Sequence, residues 1–254
     1  MGALIIVATP IGNLSDMSPR ALDALRSADL IACEDTRQTL KLLNHFGIQK
    51  SLVSYHDFNE EKKAQELGEK IRQGQTIALV SDAGTPGISD PGFRLVRYCR
   101  EHGLTVGIIP GPNAAIGALA ASGLPSDEFY FVGFLPPKKT ARREKLESLR
   151  SLRATLVFYE APHRIEGTLT DFVEILGDRE ACIARELTKL HEEFLFGKLS
   201  EIRDRVKPLG EFVIVLAGNT ATDQPATTAP LTREQVLKTL GISRNELYDL
   251  FFKK

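Results

Sequence analysis

Carboxylates and one histidine fall just past the ends of apolar runs in this chain. Glu34 and Asp35 follow Leu30-Ile31-Ala32-Cys33, and His56 and Asp57 follow Leu52-Val53-Ser54. Asp82 follows Thr76 to Val80, and Glu186 follows Ala181 to Ala184. A carboxylate or imidazole held at a strand end can take the proton of a weak nucleophile, a contribution of roughly 10²–10⁴-fold in rate. Each can equally cap a helix or close an ion pair. Beside them lies a second kind of chemistry. Ser81-Asp82-Ala83-Gly84-Thr85-Pro86-Gly87-Ile88-Ser89-Asp90-Pro91-Gly92 is a loop stiffened by proline and opened by glycine. Glycine lets another molecule approach the backbone closely, and proline presets φ. Such a loop suits a flat polar ligand of nucleoside type, held by main-chain groups. Asp90-Pro91 reads differently, as an N-cap and first residue of the next helix.

The elements that must position these residues alternate strand and helix. Strands are expected at residues 4–8, 29–33, 52–54, 76–80 and 105–109. Helices are expected from Ser18-Pro19, after Glu34-Asp35-Thr36-Arg37 to about Phe46, over 59–73, over 91–102 and from Ala114 to Ala121. That order implies right-handed βαβ crossovers and a mainly parallel sheet. TPIGNL at 9–14, EDTR at 34–37, the 81–92 loop and Pro110-Gly111-Pro112-Asn113 then share one rim, where open α/β sheets bind ligands. The Ala114–Ala121 helix is made of small residues and lets a sheet or ligand come close. Gly123-Leu124-Pro125-Ser126 reads as a hinge. A second α/β unit follows, with strands near 129–134, 155–159, 181–184, 193–197 and 211–216 and an antiparallel component. The fold class is therefore α/β with two domains, 1–121 and 122–220, each a sheet flanked by helices. Residues 221–254 form a linker and a short helical tail, in which Ser243 and Glu246 make a capping box.

Several classes are excluded or disfavoured. The formal net charge of −1 over 254 residues provides no global basic field, so a nucleic-acid site must be local. No G-x-G-x-x-G follows the first strand, and no P-loop or G-x-S-x-G motif exists. The histidines are scattered, so no metal site is expected. Cys33, Cys99 and Cys182 are far apart and fit a reduced, cytoplasmic setting. The apolar run Leu4–Ala8 is too short to span a membrane. One basic stretch stands out. Residues 138–153 carry Lys138, Lys139, Arg142, Arg143, Lys145, Arg150 and Arg153 against Glu144 and Glu147, a local charge of +5.

TPIGNL, EDTR, SDAGTP with Asp90-Pro91-Gly92, Pro110-Gly111-Pro112, Gly133-Phe134-Leu135-Pro136, Phe158-Tyr159-Glu160 with His163-Arg164, and Ala184-Arg185-Glu186-Leu187-Thr188-Lys189 occur here in one order. Together they resemble the tetrapyrrole methylase superfamily, the class III S-adenosyl-L-methionine methyltransferases. Within it they look like the branch that methylates the ribose 2′-hydroxyl of a decoding-centre cytidine in bacterial 16S rRNA. The resemblance implies a cofactor cleft between two domains, usually in a homodimer, with S-adenosyl-L-methionine as the cofactor. It implies cofactor contacts at Pro10, Asp82, Gly84, Thr85, Ala115, Ile116, Tyr159 and Ala184. For the acceptor side, Glu34, Arg37 and Glu186 rank first as catalytic candidates. Arg37 and Arg185 stand where they could pair with Glu34 and Glu186. Lys138, Lys139, Arg142 and Arg143 are the RNA-binding candidates. Tyr55, Phe58 and His163 could stack on an extruded base. A small tetrapyrrole as the methyl acceptor, or a non-catalytic RNA-binding assembly factor on the same fold, remain as alternatives.

Overall fold

The computed structural model describes residues 2–220, which up to Asn219 belong to one compact unit. The tail helices expected after Leu231 lie outside the described residues. The chain builds two five-stranded sheets. The first has the order β3-β2-β4-β1-β5, from β1 (Ala3–Val7), β2 (Leu30–Cys33), β3 (Leu52–Ser54), β4 (Thr76–Val80) and β5 (Thr105–Ile109). All its pairings are parallel, as expected from the βαβ alternation. Every strand therefore ends on the same rim.

Helices cover both faces of this sheet, which is why its central strands are continuous apolar runs. They are α1 (Pro19–Ser27), α2 (Thr36–His45), α3 (Glu60–Arg72) and α4 (Phe93–Glu101). One core holds Val7, Leu25, Ile31, Leu43 and Val80, and the other Leu4, Leu67, Ile77, Leu79 and Leu95. Local capping sets the helix starts. The Ser18 hydroxyl accepts from Ala21 N–H, and the Asp35 carboxylate from Arg37 N–H.

The start of α4 departs from the sequence reading. The helix begins at Phe93, its cap position is Gly92, and no side chain from the loop caps it. The capping carboxylate comes instead from α3. Glu60 Oε1 accepts from Gly92 N–H at 2.9 Å and from Arg94 N–H at 3.3 Å. Tyr55 supports this arrangement from below, donating its hydroxyl to Glu60 at 3.0 Å and accepting from Leu95 N–H at 3.0 Å. Asp90 is therefore not the helix cap. Ser89 turns the chain just before it with φ 64°, a left-handed conformation that a non-glycine residue rarely adopts.

The second sheet has the order β6-β7-β10-β8-β9, from β6 (Phe129–Phe134), β7 (Thr155–Glu160), β8 (Glu180–Arg185), β9 (Glu193–Lys198) and β10 (Phe212–Leu216). β6 and β7 run parallel, and β10 and β9 are antiparallel to their neighbours. One face is covered by α6 (Lys139–Leu149), α7 (Ile165–Leu176) and α8 (Leu199–Arg203), over a core centred on Phe158 and Phe172. The other face meets α5 (Ala114–Ala121), which follows β5 of the first sheet. Ala115, Ala118 and Leu119 pack on Val157, Cys182, Ala184, Val213 and Val215. The small side chains of α5 thus let the second sheet lie against the first half of the chain.

Candidate active site

The rim loops of the first sheet are stitched to one another. Thr9 and Gly84 exchange backbone hydrogen bonds at 2.8 and 3.1 Å, and Thr9 Oγ1 donates to Ser81 C=O. Thr85 Oγ1 donates to Pro112 C=O at 3.2 Å. Gly84 has φ +82°, and a Cβ there would lie 3.4 Å from Ile11 and 3.7 Å from Pro112 C=O, so glycine fits both the conformation and the space. TPIGNL, SDAGTP and PGPN are one continuous wall.

Facing it, a cleft of about 360 Å³ is lined from the first sheet's loops by Ala83, Gly84, Thr85, Asp90 and Ala114. From the second sheet it is lined by Phe134, Tyr159, Glu160, Ala184 and Lys189. Four of the eight residues implied as cofactor contacts therefore meet here: Gly84, Thr85, Tyr159 and Ala184. Pro10 and Asp82 line an adjoining hollow with Thr39 and Lys41, which shares Ile11 and Ala83 with the cleft. Ala115 is buried beneath Tyr159, whose hydroxyl accepts its N–H at 3.2 Å. Ile116 is half exposed, and its N–H is capped by Asn113.

The carboxylates of the cleft differ in their partners. Glu160 is buried, pairs with Arg164 at 3.1 Å and accepts from the Thr168 hydroxyl. Glu211 pairs with Lys189 at 2.9 Å. Asp90 makes no ion pair among the described residues. Burial, against the Ser81 hydroxyl, and the nearby carboxylates of Glu34, Asp82 and Asp57 push its pKa up to about 6. Burial and the same kind of crowding, with Asp82 and Asp57 nearest in effect, raise Glu34 as well.

The expected pairings at the strand ends are corrected by the geometry. Arg37 is bound to Asp35, not Glu34, at 2.7 Å. That contact holds the Asp35 pKa down at about 2. Arg185 pairs with Glu193, not Glu186. Glu186 accepts from Lys189 at 2.8 Å and from Glu211 N–H at 2.9 Å, and the Lys189 hydrogen bond first of all lowers its pKa. A carboxylate held in this way is a weak proton acceptor.

The basic stretch divides in two. Lys138 and Lys139 at the start of α6 are exposed. The Arg142 side chain is only 10% exposed, and its Nε and Nη2 bind Asp171 at 2.7 and 2.6 Å. Arg143 binds Asp171 and Glu174. Arg142 and Arg143 therefore clamp α6 to α7 and do not offer free guanidinium groups, a correction to the sequence reading. Tyr55 is buried and unavailable for stacking, whereas Phe58 is 99% exposed. Sequence reasoning missed Asp90 as a cleft residue and Lys189 as the cation between two carboxylates. It had no signal for Glu60, whose role depends on contacts 32 and 34 residues away.

Two sheets meeting around a cleft walled by glycine loops define a class of protein. The sequence description "Tetrapyrrole (Corrin/Porphyrin) Methylases" matches residues 3–203, and the chain belongs to that family. It is 52% identical over 227 residues to "Ribosomal RNA small subunit methyltransferase I" of Halalkalibacterium halodurans, covering 88% of this chain and 78% of that one. A Thermotoga maritima protein of the same name is 51% identical over 221 residues, covering 86% of this chain and 99% of its own. Among solved structures, uroporphyrin-III-C-methyltransferase from Thermus thermophilus superposes with a TM-score of 0.59 at 20% identity, over 85% of this chain and 94% of that one. Among the described residues no helix is long and apolar enough to cross a membrane. No group of three metal-ligating side chains is found among them either.

Proposed function

We propose that the chain is an S-adenosyl-L-methionine-dependent methyltransferase of small-subunit ribosomal RNA. The finer reading is that it methylates the ribose 2′-hydroxyl of a decoding-centre cytidine in 16S rRNA, in the cytoplasm and as a homodimer. The observation that carries the rRNA methyltransferase reading is identity of about half, over most of both chains, with relatives named for rRNA methylation. The finer part rests on the resemblance of the loop motifs.

The cleft fits the cofactor. Its walls are small at Ala83, Gly84, Ala114, Ala161 and Ala184, which leaves room for a flat nucleoside. S-adenosyl-L-methionine, when bound, supplies a sulfonium methyl already activated for displacement. The chain's own residues hold and orient. The stitched loops at Thr9, Gly84 and Thr85 keep backbone groups fixed, and Tyr159 closes the other side. In this reading Pro10 and Asp82 extend the cofactor site, with Ala115 and Ile116 shaping it from α5. Orientation of this kind is worth about 7–11 kcal/mol in favourable cases. The two sheets serve as domains 1–121 and 122–220. Exposed Lys138 and Lys139 meet phosphates, and Phe58 is free to stack on a base.

The test is transfer of labelled methyl to unmodified 30S subunits, to naked 16S rRNA and to a precorrin, followed by nucleoside mass spectrometry. The expected product is 2′-O-methylcytidine in 16S rRNA. Label in the precorrin alone overturns the reading, and methylation of a base refutes its finer part.

A further inference from the structure

Three carboxylates line the cleft, and two of them are neutralised: Glu160 by Arg164 and Glu211 by Lys189. The third, Asp90, sits where a helix cap belongs in the sequence, yet Glu60 has taken that task. The left-handed Ser89 turns the chain immediately before it. The second sheet holds the turn closely. A Cβ added at Gly133, at the bulge of β6, would come within 3.0 Å of Ser89 Oγ. A strained turn, a cap supplied from elsewhere and a carboxylate without a cationic partner all coincide at one point of the cleft wall. Strain of this kind is kept where the surrounding structure over-determines it, and it clusters at functional sites.

We propose that Asp90 is the residue that accepts the proton of the acceptor hydroxyl during methyl transfer, an inference that rests on the methyltransferase reading above. Asp90 takes up that proton as the oxygen–methyl bond forms and the sulfonium–methyl bond breaks, the electron pair of the broken bond staying on sulfur. A carboxylate and a cation enter the step, and a carboxylic acid and a neutral thioether leave it. The groups that face Asp90 are the Ser81 hydroxyl, which moderates the rise in its pKa, and Glu34, Asp82 and Asp57, which repel its charge. Tyr159, from the second sheet, feels its charge across the cleft. This crowding makes Asp90 a better proton acceptor than a free aspartate, while it stays ionised near neutrality. Glu34 is raised by the same neighbours but is not among the residues that line the cleft.

The test uses the full chain, S-adenosyl-L-methionine and 30S subunits. Asp90→Asn should lower single-turnover transfer by roughly 10²-fold or more. Calorimetry should find its cofactor affinity within about threefold of the parent, since a residue acting only in the transition state changes rate and not binding. The wild-type rate should fall on the acid side with a midpoint near pH 6. A carbon-13 carboxyl titration of the wild type should contain a resonance with that midpoint, absent from Asp90→Asn. Unchanged transfer in Asp90→Asn overturns the proposal, as does a loss matched by equally weakened cofactor binding. A wild-type profile flat from pH 5 to 8 overturns it without any variant. If the wild type methylates no RNA, the functional reading falls and takes this proposal with it. If the wild type and Asp90→Asn methylate RNA at the same rate, only this proposal falls.

Discussion

Asp171, beneath the second sheet, and Asp90, on the rim of the first, are both aspartates withdrawn from water. Asp171 is fully enclosed and carries two arginines, Arg142 and Arg143. Asp90 is partly enclosed, carries none and is surrounded by like charge. The same contrast runs through their neighbours. On the second sheet Glu160, Glu186 and Glu193 each have a cationic partner. On the first, Glu34 and Asp82 have none among the described residues. A charge withdrawn from water needs compensation. Where a fold leaves that compensation out and crowds carboxylates together, stability has yielded to something else, and perturbed carboxylates mark functional sites more often than structural ones. The second sheet's Glu160, Glu186 and Glu193 act as fasteners, as Glu60 and Asp35 do on the first, whereas Asp90, Glu34 and Asp82 on the rim have no ion-pair partner among the described residues.

The largest effect should come from breaking the fastened side. Asp171→Ala leaves Arg142 enclosed without a counter-charge, and breaking a buried pair in this way costs about 3–5 kcal/mol. Urea denaturation should record that loss. A loss below about 1 kcal/mol, the value typical of exposed pairs, would erase the distinction between the two aspartates.

On the other side the sign reverses. Asp90 titrates near 6 in the folded chain, against about 3.9 in an unfolded one. The folded state therefore binds this proton more tightly. Its contribution is most favourable below pH 4 and is lost as pH rises through 6. Asp90→Asn removes that loss. It should stabilise the protein at pH 7.5, by on the order of 1 kcal/mol once solvent screening of a partly exposed group is discounted. The gain should vanish at pH 4. Thermal melts at the two pH values check this, and destabilisation at pH 7.5 would refute the comparison.

How far this contrast could be read from the sequence depends on range. β4 and β5 end where their apolar runs end, and the Ser18 cap is visible because it acts three residues away. The parallel order followed from alternation, and with it the shared rim. The cap of α4 did not follow, because Asp90-Pro91 is a good local signal and Glu60 is a better but distant one. Arg142 failed for the same reason. A cation on a helix reads as solvated until the aspartate 29 residues on is seen to enclose it. Local rules gave the wall of the site, whereas the charges facing into it were fixed by tertiary pairing.

A moderate effect should separate the two parts of the basic stretch. Charge reversal at Lys138 and Lys139 should weaken binding to 30S subunits. It should flatten the dependence of log affinity on log salt by about one unit per lost phosphate contact, with cofactor affinity unchanged. Reversal at Arg142 should instead lower the melting temperature, because its partner is Asp171. If both variants behave alike, the division drawn from the α6–α7 clamp is wrong.

The smallest effect belongs to Arg37, and it tests the comparison where the first sheet does contain an ion pair. Its side chain is 85% exposed and grips Asp35, while Asp35 caps α2 through the Arg37 backbone N–H. An exposed pair contributes little because water screens it and two side chains must be ordered. Removing the Arg37 side chain leaves the cap donor in place. Arg37→Ala should therefore melt with the parent at neutral pH. Asp35 loses the side-chain hydrogen bond that most lowers its pKa, so its titration should move up towards the ordinary aspartate value. Methyl transfer is the informative readout. If Arg37 only holds Asp35, the rate stays near the parent's. If Arg37 meets the acceptor, as its place in EDTR suggested, transfer falls while folding does not. The reactive rim would then include a cation as well as its unpaired carboxylates.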